Sequence, residues 1–212
     1  NGHIEEIKKQ LDYANLYVIA GQTALVNKAA YDLVPANTPI INSDEIAKEI
    51  RKSGVPSVSI QELSNRDAIR LLDEQREKNN SFAIETNLAD VETWKFLLAI
   101  QDTGYEVWIL FLSTDNLEVL NNRIRERTRL GDHFVNPEVV SERYYAGLRL
   151  LNYYFDKPDR LQLFDNSTDT KQMAEATKGK IEYVADSLPE WIAKSFEITY
   201  IPRKMKRPKS EI

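Results

Sequence analysis

The stretch LYVIAGQTALVNKAAYDLVP, Leu16 to Pro35, decides the fold. LYVIA is an unbroken apolar run of the kind that forms a strand covered on both faces. Gly21 interrupts it, and residues from about 24 to 34 read as a helix. A strand, a glycine turn and a helix in that order mark the place of a phosphate-binding loop, with the pattern G-x-x-x-x-G-K-[ST]. Counted from Gly21, the positions of the second glycine, the lysine and the hydroxyl are held by Val26, Asn27 and Lys28. The setting of a phosphate loop is present while three of its working residues are replaced.

Outward from this stretch, strands alternate with helices. A short amphipathic helix is expected at 4–12. Strands are expected at 39–42, 81–85, 105–112 and 160–165. Between them fall helices opening at Ser43, and over 59–79, 90–103, 115–128 and 137–155, with a last helix near 170–177. Asp44 and Glu45 suit a helix N-terminus, Asp90 suits a cap, and Asn136-Pro137-Glu138 puts proline at a first helical position. Apolar strands between helices predict an α/β fold, a parallel sheet with helices on both faces. Residues 1–180 are expected to form this domain. Residues 181–212 are expected to form an extension ending in the basic tail PRKMKRPKSEI.

Composition narrows the chemistry. The 212 residues contain no cysteine, which excludes disulfides, thiolate metal sites and a cysteine nucleophile. His3 and His133 are the only imidazoles, so a multi-histidine metal site is excluded and no metal-ligating set is expected. No apolar run approaches the roughly 20 residues that cross a bilayer. The net charge of −5 argues against nucleic acid as a partner. The expected setting is cytoplasmic.

Ligands of parallel α/β sheets sit beyond the carboxyl ends of the strands. The groups expected there are Gly21, then Asn42 with Asp44 two residues on, then Glu85 with Thr86 and Asn87, then Asp165 with Asn166. Asp44 could equally serve only its helix, and Asp165 only the next turn. Glu85 closes an apolar strand, where a carboxylate needs a partner. RIRERTRLGDH adds Arg123, Arg125, Arg127 and Arg129, with Arg143 further on. Arg123, Arg127 and Arg143 border apolar stripes at helical spacing, so each needs an anion, from protein carboxylates such as Glu126 and Glu142 or from phosphate.

The ordered set LYVIAG, INSDEIA, FAIETNL, GYEVWILFL, RTRLGDHFV, SERYYAGL and FDNS resembles the zeta-toxin family of P-loop kinases from about Leu16 to Ser167. Family members phosphorylate a sugar hydroxyl of UDP-N-acetylglucosamine with magnesium and ATP or GTP, and several are held inactive by a small helical antitoxin. The resemblance implies that Asp44 is the base on the sugar hydroxyl and that Glu85 and Thr86, with Asn87, hold the substrate. Arg129 and Arg143, with Arg127 nearby, would clamp the phosphates. Gly21, Gln22, Thr23, Ala24, Asn27, Lys28 and Asn166 fall at the nucleotide. His133 falls in a loop where the family reads Gly-Gly-His, and Asp132 replaces the second glycine.

The loop is where the chain departs from the family's G-x-N-G-A-G-K-T/S. Leu25 and Val26 resist the curl that lets backbone N–H groups surround phosphate. Asn27 removes the lysine charge and Lys28 the magnesium-binding hydroxyl. Two functions are therefore expected as alternatives. One is a transferase scaffold acting on a nucleotide sugar with impaired or absent turnover. The other is a non-catalytic module that binds a nucleotide, a nucleotide sugar or a protein.

Overall fold

The computed structural model describes residues 13–21, 28–54, 56–129 and 134–196. Strand β1 (Asn15–Gly21) is followed by the short helix α1 (Lys28–Tyr31), β2 (Ile40–Ile41), α2 (Ser43–Lys52) and α3 (Ser57–Glu77). Next come β3 (Phe82–Thr86), α4 (Val91–Asp102), β4 (Glu106–Ser113), α5 (Leu117–Arg129) and α6 (Pro137–Tyr153). The chain then adds β5 (Arg160–Asp165), β6 (Lys171–Thr177), β7 (Lys180–Val184) and α7 (Glu190–Ser195).

The seven strands form one sheet in the order β2-β3-β1-β4-β5-β6-β7. The first five in that order pair in parallel, and β6 and β7 add an antiparallel edge. Every residue of β1 from Leu16 to Gly21 is buried, so both of its faces are covered by helices. Leu16, Val18 and Ile19 are wholly enclosed, and each contributes on the order of 1.5–3 kcal/mol by leaving water. The helix starts follow their sequence signals. Asp90 Oδ1 accepts from the Thr93 N–H at 2.7 Å, and Asn136 Oδ1 accepts from the Glu138 N–H at 2.9 Å with Pro137 at the first helical position.

One element is corrected. The helix expected near 170–177 is strand β6, paired antiparallel with β5. Lys, Gln, Met, Ala and Glu all favour helix in isolation. The open edge of β5 offers a full ladder of hydrogen bonds, and Ala174 and Ala176 alternate inward against it. The expected division after residue 180 falls between the first two residues of β7. That strand pairs with β6, and Trp191 and Ile192 of α7 are buried in the same core as β1.

The parallel registers place the functional edge. Ala20 lies beside Thr86, Gly21 beside Leu112, Ile41 beside Ile84 and Ser113 beside Asp165. The carboxyl ends of β2, β3, β1, β4 and β5 thus meet along one side of the sheet. Gly21 is fixed there by geometry. Its φ is +137°, and a Cβ on it would lie 2.2 Å from the Leu112 carbonyl oxygen.

Candidate functional site

Three side chains from three elements meet at the ends of β2 and β3. Glu85 Oε2 accepts from the Tyr31 hydroxyl at 2.5 Å and from Asn42 Nδ2 at 2.6 Å. Asn42 Nδ2 also lies 3.2 Å from the Tyr31 oxygen. The carboxylate that sequence reasoning left in need of a partner therefore finds partners in α1 and at the end of β2. Asn42 has a second task. Its Oδ1 accepts from the Asp44 and Glu45 N–H groups at 2.9 and 3.3 Å and so caps α2. One asparagine amide thereby locks the Glu85 carboxylate to the helix turn that carries Asp44. Asp44 itself points to solvent.

Burial, first, and then the hydrogen bond to Glu85 and its negative charge push the Tyr31 hydroxyl up to about 12. A phenol that keeps its proton in the folded chain but releases it near pH 10 when unfolded stabilises the fold below pH 10. That stabilisation is lost as pH rises from 10 to about 12. Thermal melting across this window is expected to fall less steeply for Tyr31→Phe than for the wild type. Parallel melting curves would show that Tyr31 is not held in this way.

The neighbouring strand ends are built as tightly. Thr86 Oγ1 accepts from the Leu88 N–H at 3.3 Å, and Asn87 Oδ1 accepts from the Ala89 N–H at 3.0 Å. These bonds support Leu88 at a φ of +51°, while Trp94 Nε1 donates to its carbonyl at 3.4 Å. The Thr86 hydroxyl proton and the Asn87 amino group are not used in those bonds. Gly147 of α6 lets that helix approach, since a Cβ on it would meet the Asn87 carbonyl at 3.3 Å.

At β5, Asp165 serves the next turn: Ser167 Oγ donates to its Oδ1 at 3.1 Å. Trp191 Nε1 donates to the same oxygen at 3.2 Å. Asn166 is buried, and its N–H donates to the Ser113 carbonyl at 2.8 Å. Arg123 donates from Nη1 to the Asn166 carbonyl at 2.9 Å and from Nη2 to the Ser167 carbonyl at 3.4 Å. Its expected anion is thus replaced by two carbonyls of the loop after β5.

Arg129 is exposed and pairs with Glu126 at 3.0 Å. Arg143 is exposed. The loop positions Gln22, Thr23, Ala24 and Asn27, His133, and the side chains of Lys28 and Arg127 lie outside the described residues. Among the described residues, no three acidic or histidine side chains gather as a metal site. No described helix is long and apolar enough to cross a membrane. The residues that sequence reasoning missed are Tyr31 and the second role of Asn42. Glu85's need for a partner was the available signal, but neither partner is close to it in sequence.

No family model matches the chain. An uncharacterised protein of Haemophilus influenzae is 25% identical over 105 residues, 50% of this chain and 74% of the relative. Among solved structures, the AvrRxo1-ORF1:ORF2 complex crystallised with ATP superposes with a TM-score of 0.62 at 19% identity. That match covers 85% of this chain, and the chain spans 63% of that protein's length. The structure describing the PezAT chromosomal toxin–antitoxin system of Streptococcus pneumoniae gives a TM-score of 0.57 at 15% identity, over 82% of this chain and 79% of that one. The chain has the zeta-toxin-like kinase fold. In that fold Asn42, Asp44, Glu85 and Thr86 occupy the edge where the parallel strands end, and Gly21 closes β1 on the same edge.

Proposed function

We propose that the chain is a zeta-toxin-type phosphotransferase scaffold that keeps its acceptor side and has lost the working parts of its nucleotide side. The acceptor side takes a nucleotide sugar such as UDP-N-acetylglucosamine. The observation that carries this reading is the Tyr31–Asn42–Glu85 set tied to the Asp44 turn. Here Tyr31 and Asn42 fix Glu85 at the edge where ligands of such sheets bind, and Asn42 also caps the turn that carries the base candidate Asp44, two residues on.

In this reading Asp44, exposed and on a capped helix turn, is the group that accepts a hydrogen bond, and then the proton, from a sugar hydroxyl. Glu85, with its orientation fixed, receives a hydrogen bond from the sugar. Thr86 and Asn87 donate to the ligand with the hydroxyl and amino groups their own loop leaves uncommitted. Arg129, Arg143 and Arg127 neutralise phosphate charge, Arg129 after swinging inward. For Arg129 that movement breaks only an exposed ion pair, worth roughly 0–1 kcal/mol.

Gly21, Gln22, Thr23, Ala24, Asn27, Lys28 and Asn166 are the nucleotide-side positions. Their chemistry does not fit magnesium–ATP: no lysine stands where the outer phosphates would lie, and no hydroxyl stands where the metal would bind. No catalytic step is derived through that pair. This mismatch favours the second reading, a non-catalytic module that holds a nucleotide, a nucleotide sugar or a small helical antitoxin-like protein in the cytoplasm.

Calorimetry separates the readings. UDP-N-acetylglucosamine is expected to bind, and Glu85→Gln to weaken it by about tenfold, the effect of one charge-assisted hydrogen bond. Transfer of labelled phosphate from ATP or GTP would select the transferase, and binding without transfer the module. Absence of sugar-nucleotide binding would overturn the transferase and leave only a module for a nucleotide or a protein.

A further inference from the structure

A cavity of ≈ 600 Å³ opens between α6, α7 and the β4–α5 turn. It is separate from the proposed reaction, because none of the residues assigned to that reaction lines it among the described residues. Its size suits a small organic ligand.

Most polar groups on its walls are already engaged. Trp191 Nε1 donates to Asp165 Oδ1 at 3.2 Å, and the Tyr144 hydroxyl donates to the Thr114 carbonyl at 2.8 Å. The Asp115 carboxylate accepts from the Glu190 and Trp191 N–H groups at 2.8 and 2.6 Å. Lys194 pairs with Glu190 at 2.6 Å. With those contacts made, Trp191, Tyr144 and Leu148 line the cavity while nearly buried, and Tyr145, 50% exposed, supplies its aromatic surface.

Arg149 on the rim is different. It is exposed and has no ion-pair partner among the described residues. Glu138 and Glu142 border a neighbouring opening that Arg149 shares, and neither pairs with it. A guanidinium with no ion-pair partner among the described residues, one helical turn from the exposed Tyr145 ring, selects both a shape and a charge. A cationic ligand would meet the guanidinium. We propose that this cavity binds a small ring-bearing organic anion, its planar ring against Tyr145 and its anionic group on Arg149. A nucleoside monophosphate and an aromatic carboxylate share that chemistry.

Calorimetric titration of the full chain tests this with adenosine 5′-monophosphate and indole-3-acetate, each against its neutral counterpart, adenosine and indole-3-acetamide. At least one anion is expected to bind with a Kd below about 1 mM and about tenfold more tightly than its neutral counterpart. Arg149→Gln is expected to abolish that preference with an unchanged melting temperature, since Arg149 is exposed, and Arg149→Lys to restore part of it. Asp44→Asn is expected to leave both titrations unchanged, which separates this cavity from the acceptor side. Preference for the phosphate or for the carboxylate identifies the ligand's source, and either supports the proposal. Failure of both anions to bind, or binding indifferent to Arg149→Gln, would overturn it.

Discussion

Gly21→Ala is expected to lower the unfolding free energy by about 3–5 kcal/mol, among the largest losses a single substitution produces. Two costs combine. A non-glycine residue at a φ of +137° is strained wherever it sits. The added methyl would lie 2.2 Å from the Leu112 carbonyl oxygen, a backbone atom that cannot rotate aside. Relief requires β1 and β4, the centre of the sheet, to separate. Leu112→Ala should therefore fail to rescue the variant, because the obstacle is main chain. Gly54→Ala is the control: it also has a positive φ but open space around it, and about 1 kcal/mol is expected. Denaturant unfolding of the variants measures this. Equal losses at Gly21 and Gly54 would show that β1 does not approach β4 as described.

The second large effect is a gain. Restoring Val26→Gly, Asn27→Lys and Lys28→Thr together is expected to raise phosphate transfer by about 100-fold or more. One charge-assisted hydrogen bond is worth roughly 1.5–3 kcal/mol, and each 1.36 kcal/mol is tenfold in rate. The lysine alone accounts for a factor of about 10 to 150, and the metal ligand adds to it. The measurement is transfer of labelled phosphate from ATP to UDP-N-acetylglucosamine, with Asp44→Asn in the repaired background as the control. No gain in the triple variant would mean that the acceptor side is not aligned for transfer. Equal rates with and without Asp44 would remove it as the base.

The parts of the fold legible in the sequence were those in which local preference and tertiary position agree. LYVIA and VWILFL are continuous apolar runs because both faces of β1 and β4 are covered, and they lie at the sheet's centre. Asp90 and Asn136 cap helices because short acceptor side chains reach the second or third N–H without strain. KQMAEAT was read as a helix because its propensities favour one. Its alternation of Ala174 and Ala176, and the tight turn at Lys178-Gly179, were the overlooked signals. Both turn residues have positive φ, 48° and 76°, as a two-residue hairpin requires.

The candidate site was legible by type of residue and not by partnership. That Glu85 closes an apolar strand is a local fact, and its need for a hydrogen bond follows from desolvation. That the bonds come from Tyr31 and Asn42 depends on strand order, which places β2 beside β3 and α1 after β1. Arg123 shows the same limit. Its position beside an apolar stripe called for an anion, and two backbone carbonyls of the loop after β5 meet the need instead. Helical spacing gives the face on which a side chain lies, but not what a distant loop brings to it.

The most direct test is a crystal structure of the chain soaked in UDP-N-acetylglucosamine without a nucleotide triphosphate. The account predicts the sugar at the carboxyl ends of β2 and β3, with one hydroxyl hydrogen-bonded to Glu85 and another within reach of Asp44. A sugar nucleotide bound elsewhere, with the Tyr31–Asn42–Glu85 set untouched, would contradict it.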